Sequence, residues 1–158
     1  MTYFEAFGLE PKLATFDDRL SAQKAVYLAQ AAGADLGYFY RWYLRGPYCP
    51  AVADDLFAAV SSGVCRDIER LSWTLDEPTS GRLDRLRAVI GEWGTTEDLA
   101  RRVELLASVD FLVTRKQVVL DAPELIVDKL REYGKVFDRE DVVRALVAVR
   151  ELREEHAT

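Results

Sequence analysis

The densest chemical potential in the chain lies between Leu20 and Leu56. Gln23, Lys24 and Tyr27 fall within one turn of a helical pattern, with Lys24 on or beside the apolar stripe set by Leu20 and Tyr27. The aliphatic stem of Lys24 would let its ammonium snorkel into water. Alternatively, Lys24 and Gln23 meet the aromatic segment that follows and build a polar site beside Arg41 and Tyr43. That segment, Tyr38 to Tyr48, has an aromatic at nearly every second position, interleaved with Arg41 and Arg45. Core packing accounts for one face of such a strand and leaves the other for contact. Arg and Tyr are enriched where partner proteins bind.

The rest of the chain argues against catalysis. The single histidine, His156, stands in the C-terminal tail, so a Ser/His or Cys/His centre is not expected. Two cysteines, Cys49 and Cys65, fall short of the four ligands usual for structural zinc and read as small thiols of a reducing compartment. The pairs Asp17/Asp18, Asp54/Asp55 and Glu154/Glu155 are sequence neighbours at helix starts or on helix surfaces. They suit caps and solvated faces better than acid–base work. No phosphate-binding loop, dinucleotide fingerprint or H-E-x-x-H occurs. A non-enzymatic protein without metal or cofactor is expected.

Hydrophobic periodicity and punctuation give the supporting elements. A short helix is expected within Met1 to Thr15. Asp17 or Asp18 then caps a helix that runs to about Ala32 and stops at Gly33. Leu36 to Arg45 reads as a strand, with Tyr38, Tyr40, Trp42 and Leu44 on one face and Phe39, Arg41, Tyr43 and Arg45 on the other. Gly46-Pro47 is expected to end that strand and lead into a helix from Pro50 to about Ser62. Two small strands are expected within Val64 to Leu75, and Glu77 to Gly81 reads as a linker.

The second half is helical. One helix spans Arg82 to Trp93, and a second follows a capping box at Thr95 to Asp98. The stretch Val109 to Leu120 fits either the end of that helix or a hairpin, and the upstream periodicity favours the helix. Asp121 to Glu124 forms another box, opening a helix that ends before Gly134. Asp138 caps the last helix, with Phe137 and Val142 spaced as a hydrophobic staple. The fold class is mainly α: a winged-helix-like N-terminal half over 1–78 with short β-strands, then a C-terminal helical bundle over 79–158, packed as one unit.

The chain has 158 residues, with 21 Lys and Arg against 27 Asp and Glu, for a net charge of −6. Its length supports a buried core without disulfide or metal. No apolar run approaches the roughly 20 residues that span a bilayer. The first residues, Met1 to Glu5, lack a basic stretch followed by an apolar one, so a cytoplasmic location is expected and no membrane partner.

Leu20 to Gln30 resembles the "L-Q-K-L-L-Y-x-A-Q" helix of Panacea-type (SocA-like) antitoxin domains. Tyr40 to Pro50, followed by Ala53-Asp54-Asp55-Leu56, looks like the "W-x-x-G-P-x-x-P" turn of that group. It is closer still to the "R-W-Y-x-x-G-P-Y-S-x-x-L-A-x-D-L" segment of YwgA-like proteins, with Cys49 where that pattern often has Ser. The resemblance, which extends to the C-terminal helices, implies a winged-helix-like half with no catalytic centre. It also implies an antitoxin-like or defence-associated regulatory role.

The expected function is protein–protein interaction, with Gln23, Lys24, Tyr27, Arg41, Tyr43, Arg45, Gly46, Pro47 and Tyr48 as the binding surface. A homodimer is one form that partnership can take. The alternative is a winged-helix DNA-binding regulator, with Arg66 and Arg70 on the wing and Arg82, Arg85 and Arg87 beyond it. A continuous basic surface would point to DNA, a pocket converging on Lys24 to a ligand sensor or enzyme, and a flat aromatic patch to a partner. The helix from Pro50 offers Asp54 and Asp55 and no cation to phosphates. With a net charge of −6, the chain should give no electrophoretic shift of random-sequence duplex DNA at nanomolar protein and physiological salt.

Overall fold

A computed structural model describes residues 13–62, 76–91, 99–115, 118 and 121–154. Among these residues the chain is mainly α-helical, with six helices and one two-stranded sheet. Helix α1 spans Phe16–Ala31, strands β1 and β2 span Arg41–Tyr43 and Gly46–Tyr48, and α2 spans Pro50–Ser61. Helices α3, α4, α5 and α6 follow at Glu77–Gly91, Leu99–Arg115, Pro123–Glu132 and Arg139–Glu154. No helix among the described residues is long and apolar enough to cross a membrane.

Helix α4 is the axis of the molecule. Every residue from Val103 to Leu112 is buried, because α1, β2, α3, α5 and α6 all pack against it. A helix covered on all sides has no solvated stripe, so its polar residues must find partners inside. On α6 the repeat of Val142, Leu146 and Val149 buries one face against this axis. Phe137 and Val142, the two staple positions around Asp138, are both buried.

Several local expectations are corrected by hydrogen bonding. Thr15 caps α1, not Asp17 or Asp18: its Oγ1 accepts from the Asp18 amide at 3.1 Å. Asp18 completes a capping box by accepting from the Thr15 amide at 2.8 Å. Glu77 to Gly81 is the start of α3 rather than a linker. Asp76 accepts from the Thr79 amide at 2.9 Å, and Pro78 sits where a helix has no use for a backbone donor. The 78/79 division therefore falls inside a helix. Asp121 to Glu124 makes no box: Ala122 precedes α5 without a side-chain cap, Asp121 pairs with Arg150, and Glu124 pairs with Arg139 at 2.7 Å. Helix α4 continues to Arg115, as its periodicity predicted.

The aromatic segment is not one strand. Only Arg41 to Tyr43 enters a ladder, pairing antiparallel with Gly46 to Tyr48. The chain reverses at Leu44-Arg45, so Gly46-Pro47 opens the second strand instead of ending the first. The predicted alternation holds through Trp42, with Tyr40 buried and Phe39 and Arg41 exposed. It fails at Leu44, which is in the turn and 76% exposed. Of the stretch Met1 to Thr15, where a short helix is expected, residues 1–12 lie outside the described residues, as do the two strands of residues 64–75 and the box at residues 95–98. So do Cys65 and His156.

Gly46 decides how closely the hairpin approaches α4. Its φ is +85°, and a Cβ there would stand 2.5 Å from the Ser108 Oγ. Both the backbone conformation and the contact exclude a side chain. Gly46→Ala should lower stability by about 1 kcal/mol or more, read as a shifted urea midpoint with an unchanged slope.

Candidate functional site

The hairpin has only two strands, so most of its backbone groups need partners from elsewhere. Helix α1 supplies them through side chains spaced along one face. The Gln23 amide donates to the Cys49 carbonyl at 2.8 Å and accepts from the Cys49 amide at 3.4 Å. Two turns on, the Gln30 amide donates to the Tyr38 carbonyl at 2.8 Å and accepts from the Tyr38 amide at 2.9 Å. Each glutamine thus takes the place of a neighbouring strand. Between these clamps, Lys24 Nζ donates to the Pro47 carbonyl at 2.5 Å.

Lys24 does not snorkel. It is 1% exposed, enclosed by the hairpin and α4. Burial and the nearby charge of Lys135 lower its pKa to about 7, while Glu104 acts in the opposite sense. Glu104 itself is buried on α4. One of its oxygens accepts from Lys135 and the other from Arg45 at 3.5 Å. Burial also lowers the pKa of Lys135, against the pull of Glu104. Ser108, one turn along α4, returns its hydroxyl to the Glu104 carbonyl at 2.6 Å. Trp42 stacks beside Tyr133, with ring centres 4.4 Å apart, and has the Lys135 ammonium 5.8 Å from its own ring centre.

On the outer side of this cluster lies a cavity of about 400 Å³ between α1, the hairpin and α2. Gln23, Lys24, Tyr43, Arg45, Gly46 and Tyr48 line it, so six of the nine sequence-predicted site residues share one space. Its apolar walls come from Leu13, Leu20, Leu56 and Phe57. The feature is a cleft that reaches Lys24 and is bordered by the exposed Phe16, Tyr43, Leu44 and Phe57, so it combines a pocket with an apolar, aromatic rim.

The remaining three residues are placed differently. Pro47 is buried, and its carbonyl holds Lys24. Arg41 is exposed but lies over Phe39, 5.7 Å from its ring centre, and does not join Gln23 and Lys24. Tyr27 belongs to the core: its hydroxyl donates to Asp110 at 2.5 Å, and burial, reinforced by Asp110, pushes its pKa up. Asp110 also accepts two bonds from Arg153, at 2.9 and 2.7 Å. With Asp110 and Arg153, Tyr27 lines a separate cavity, apart from the one that Lys24 lines.

Glu104, Ser108 and Lys135 were missed in the sequence, as were the wall residues Phe16, Leu44 and Phe57. The signal for the first two was present: Glu104 and Ser108 are four apart inside an otherwise apolar run, on one face of a helix with no solvated side. Cys49 is a buried free thiol. Helix α2 presents Asp54 and Asp55 to solvent, and the Tyr38 hydroxyl donates to Asp55 at 2.8 Å. No family model, curated protein or solved structure matches the chain.

The lowered pKa of Lys24 fixes a pH dependence. Between about pH 7 and the ordinary lysine value of 10.5, the unfolded chain holds a proton on this amine that the folded chain has released. Stability therefore rises with pH across that window, by at most about 1.4 kcal/mol per pH unit from one group. Below about pH 7 both states carry the proton and this contribution to the slope vanishes. Lys24→Met should flatten the rise, as measured by urea denaturation at a series of pH values below the tyrosine range. Lys135 adds a slope of the same sign in both proteins.

Proposed function

We propose that the chain is a non-catalytic, cytoplasmic protein-interaction module of regulatory type. Its contact surface is the mouth of the cleft between α1, the hairpin and α2. One observation carries this reading. Phe16, Tyr43, Leu44 and Phe57 are 54%, 60%, 76% and 49% exposed, and all four border one apolar cavity. Large apolar side chains grouped around a concavity are the usual mark of an interaction site, whereas single ones are ordinary. Arg45 at the rim, with its guanidinium 5.9 Å from the centre of the Phe16 ring, adds the residue type most often found with aromatics in binding hot spots.

The winged-helix-like arrangement and the kinship with YwgA-like and Panacea domains belong to the same proposal. The residues that carry the resemblance are those that couple α1 to the hairpin. Gln23, Lys24 and Gln30 hold Cys49, Pro47 and Tyr38. A sequence pattern with that mechanical role suits an antitoxin-like or defence-associated regulator, in which the hairpin is presented to a partner. The exposed carboxylates of α2 disfavour the DNA-binding alternative.

The test uses affinity capture from the native host with wild type and the Leu44→Asp, Tyr43→Ala double variant. Both positions are exposed in or beside the turn, so the melting temperature should change little. A specific partner recovered by wild type should be lost from the double variant, since truncated interface anchors cost about 2 kcal/mol or more. A folded double variant that retains every partner would place the interface elsewhere.

A further inference from the structure

Charge is unevenly distributed around the cleft floor. Lys24, Lys135 and Arg45 share one carboxylate, Glu104, whose two oxygens are taken by Lys135 and Arg45. Lys24 has the Pro47 carbonyl as its acceptor and no carboxylate within ion-pair distance among the described residues. An ammonium has three hydrogens to donate, so two are left for something else. The cavity lining adds Arg19, whose guanidinium donates to the Leu13 and Ala14 carbonyls, and contains no Asp or Glu among the described residues. A cation buried without a counter-charge is costly, and an anion that enters the cavity removes that cost.

The rest of the cavity sets the shape of what enters. Leu13, Leu20, Leu56 and Phe57 make its walls apolar, and about 400 Å³ lies within the range of small-molecule sites. A hydrated inorganic anion would leave those walls wet. Of the cations in the lining, Lys24 is the one that is fully buried, whereas Arg19 is half-buried on two carbonyls and Arg45 is paired with Glu104, so one anionic group matches the cleft floor.

We propose that the cleft binds a free aliphatic monocarboxylate, its chain lying along Leu20, Leu56 and Phe57 and its carboxylate accepting from Lys24, with Arg45 at the rim. This inference goes beyond partner binding and does not rest on it. Because Tyr43 and Leu44 border the same space, a bound carboxylate and an inserted partner side chain would compete.

Binding is linked to protons. The charged and titratable groups around Lys24 are Arg19 on α1, Tyr43, Arg45 and Tyr48 on the hairpin, Cys49 before α2, Glu104 on α4 and Lys135 between α5 and α6. Glu104 is engaged by Lys135 and Arg45, so the change falls on the Lys24 amine, which is largely neutral above about pH 7. A carboxylate beside it restores the ammonium, and a proton is taken up from solution.

The test is calorimetric titration of the full chain at pH 8 with decanoate, decanol and decylammonium, in two buffers of different ionisation enthalpy. Decanoate should bind one to one with proton uptake, decanol about tenfold or more weakly, and decylammonium not at all. Amide resonances of Gly46 and Leu56 should shift with decanoate. Lys24→Met, if folded by circular dichroism, should bind decanoate and decanol equally. The comparison in the wild-type chain decides the matter even if that variant does not fold. Decanol bound as tightly as decanoate, decanoate bound without moving those resonances, or no decanoate binding up to its solubility limit would each overturn the proposal.

Discussion

Two glutamines, two turns apart on α1, hold the hairpin in place. Gln23 closes on the backbone of Cys49 and Gln30 on that of Tyr38, each through one donated and one accepted bond. A two-stranded hairpin is at best marginally stable in water, and this one has three residues in each strand. The primary amide matches a peptide group donor for acceptor, so a helix can stand in for a third strand at two points. A carboxylate or an ammonium would satisfy only one of the two backbone groups and leave the other buried and unpaired. The clamps fix where the hairpin lies. Gly46 then allows it to press onto Ser108 of α4. The cleft is lined by α1, the hairpin and α2.

Lys24 sits between the clamps, and its position explains why charge is tolerated there. The Pro47 carbonyl belongs to a residue with no N–H of its own, on a strand with one ladder partner, and it needs a donor. The lysine supplies one from the helix. Desolvation and the charge of Lys135 lower its pKa to about 7 and Glu104 partly offsets them, so the amine gains and loses its proton near neutral pH. Ordinary structural hydrogen bonding thus brings a titratable amine to the edge of an apolar space.

Much of this was legible in the sequence. The helix from the capped start to Gly33, the Pro50 helix and the last three helices follow from apolar periodicity, and the structure keeps all of them. Gln23, Lys24, Gly46 and Tyr48, singled out by residue type and spacing, share one cavity. The strand is shorter than its aromatics suggest because aromatic density reports half-burial, not ladder pairing: Tyr38 is held by the Gln30 side chain and Tyr40 by ring packing. Tyr27 lies against Tyr40 with ring centres 4.9 Å apart. Pro78 and Gly81 punctuate the sequence as a linker would, but Asp76 makes the same residues a helix start. Glu104 and Lys135, 31 residues apart, could not be joined without the fold.

Buried charge also sets the register of α4 against its neighbours. Glu104 faces the hairpin and Lys135. Asp110, six positions along and on a different face, takes the Tyr27 hydroxyl from α1 and the Arg153 guanidinium from α6. Sliding α4 by one turn would keep apolar contacts with the leucines, valines and alanines around it, but would strand both carboxylates in a dry interior. Breaking a buried pair by removing one partner costs several times what an exposed pair contributes. The two carboxylates therefore act as pins in an otherwise permissive apolar interface. The pin at Glu104 leaves Lys24 as the cation without a carboxylate, so the same constraint that aligns the helices gives the cleft its unmatched positive charge.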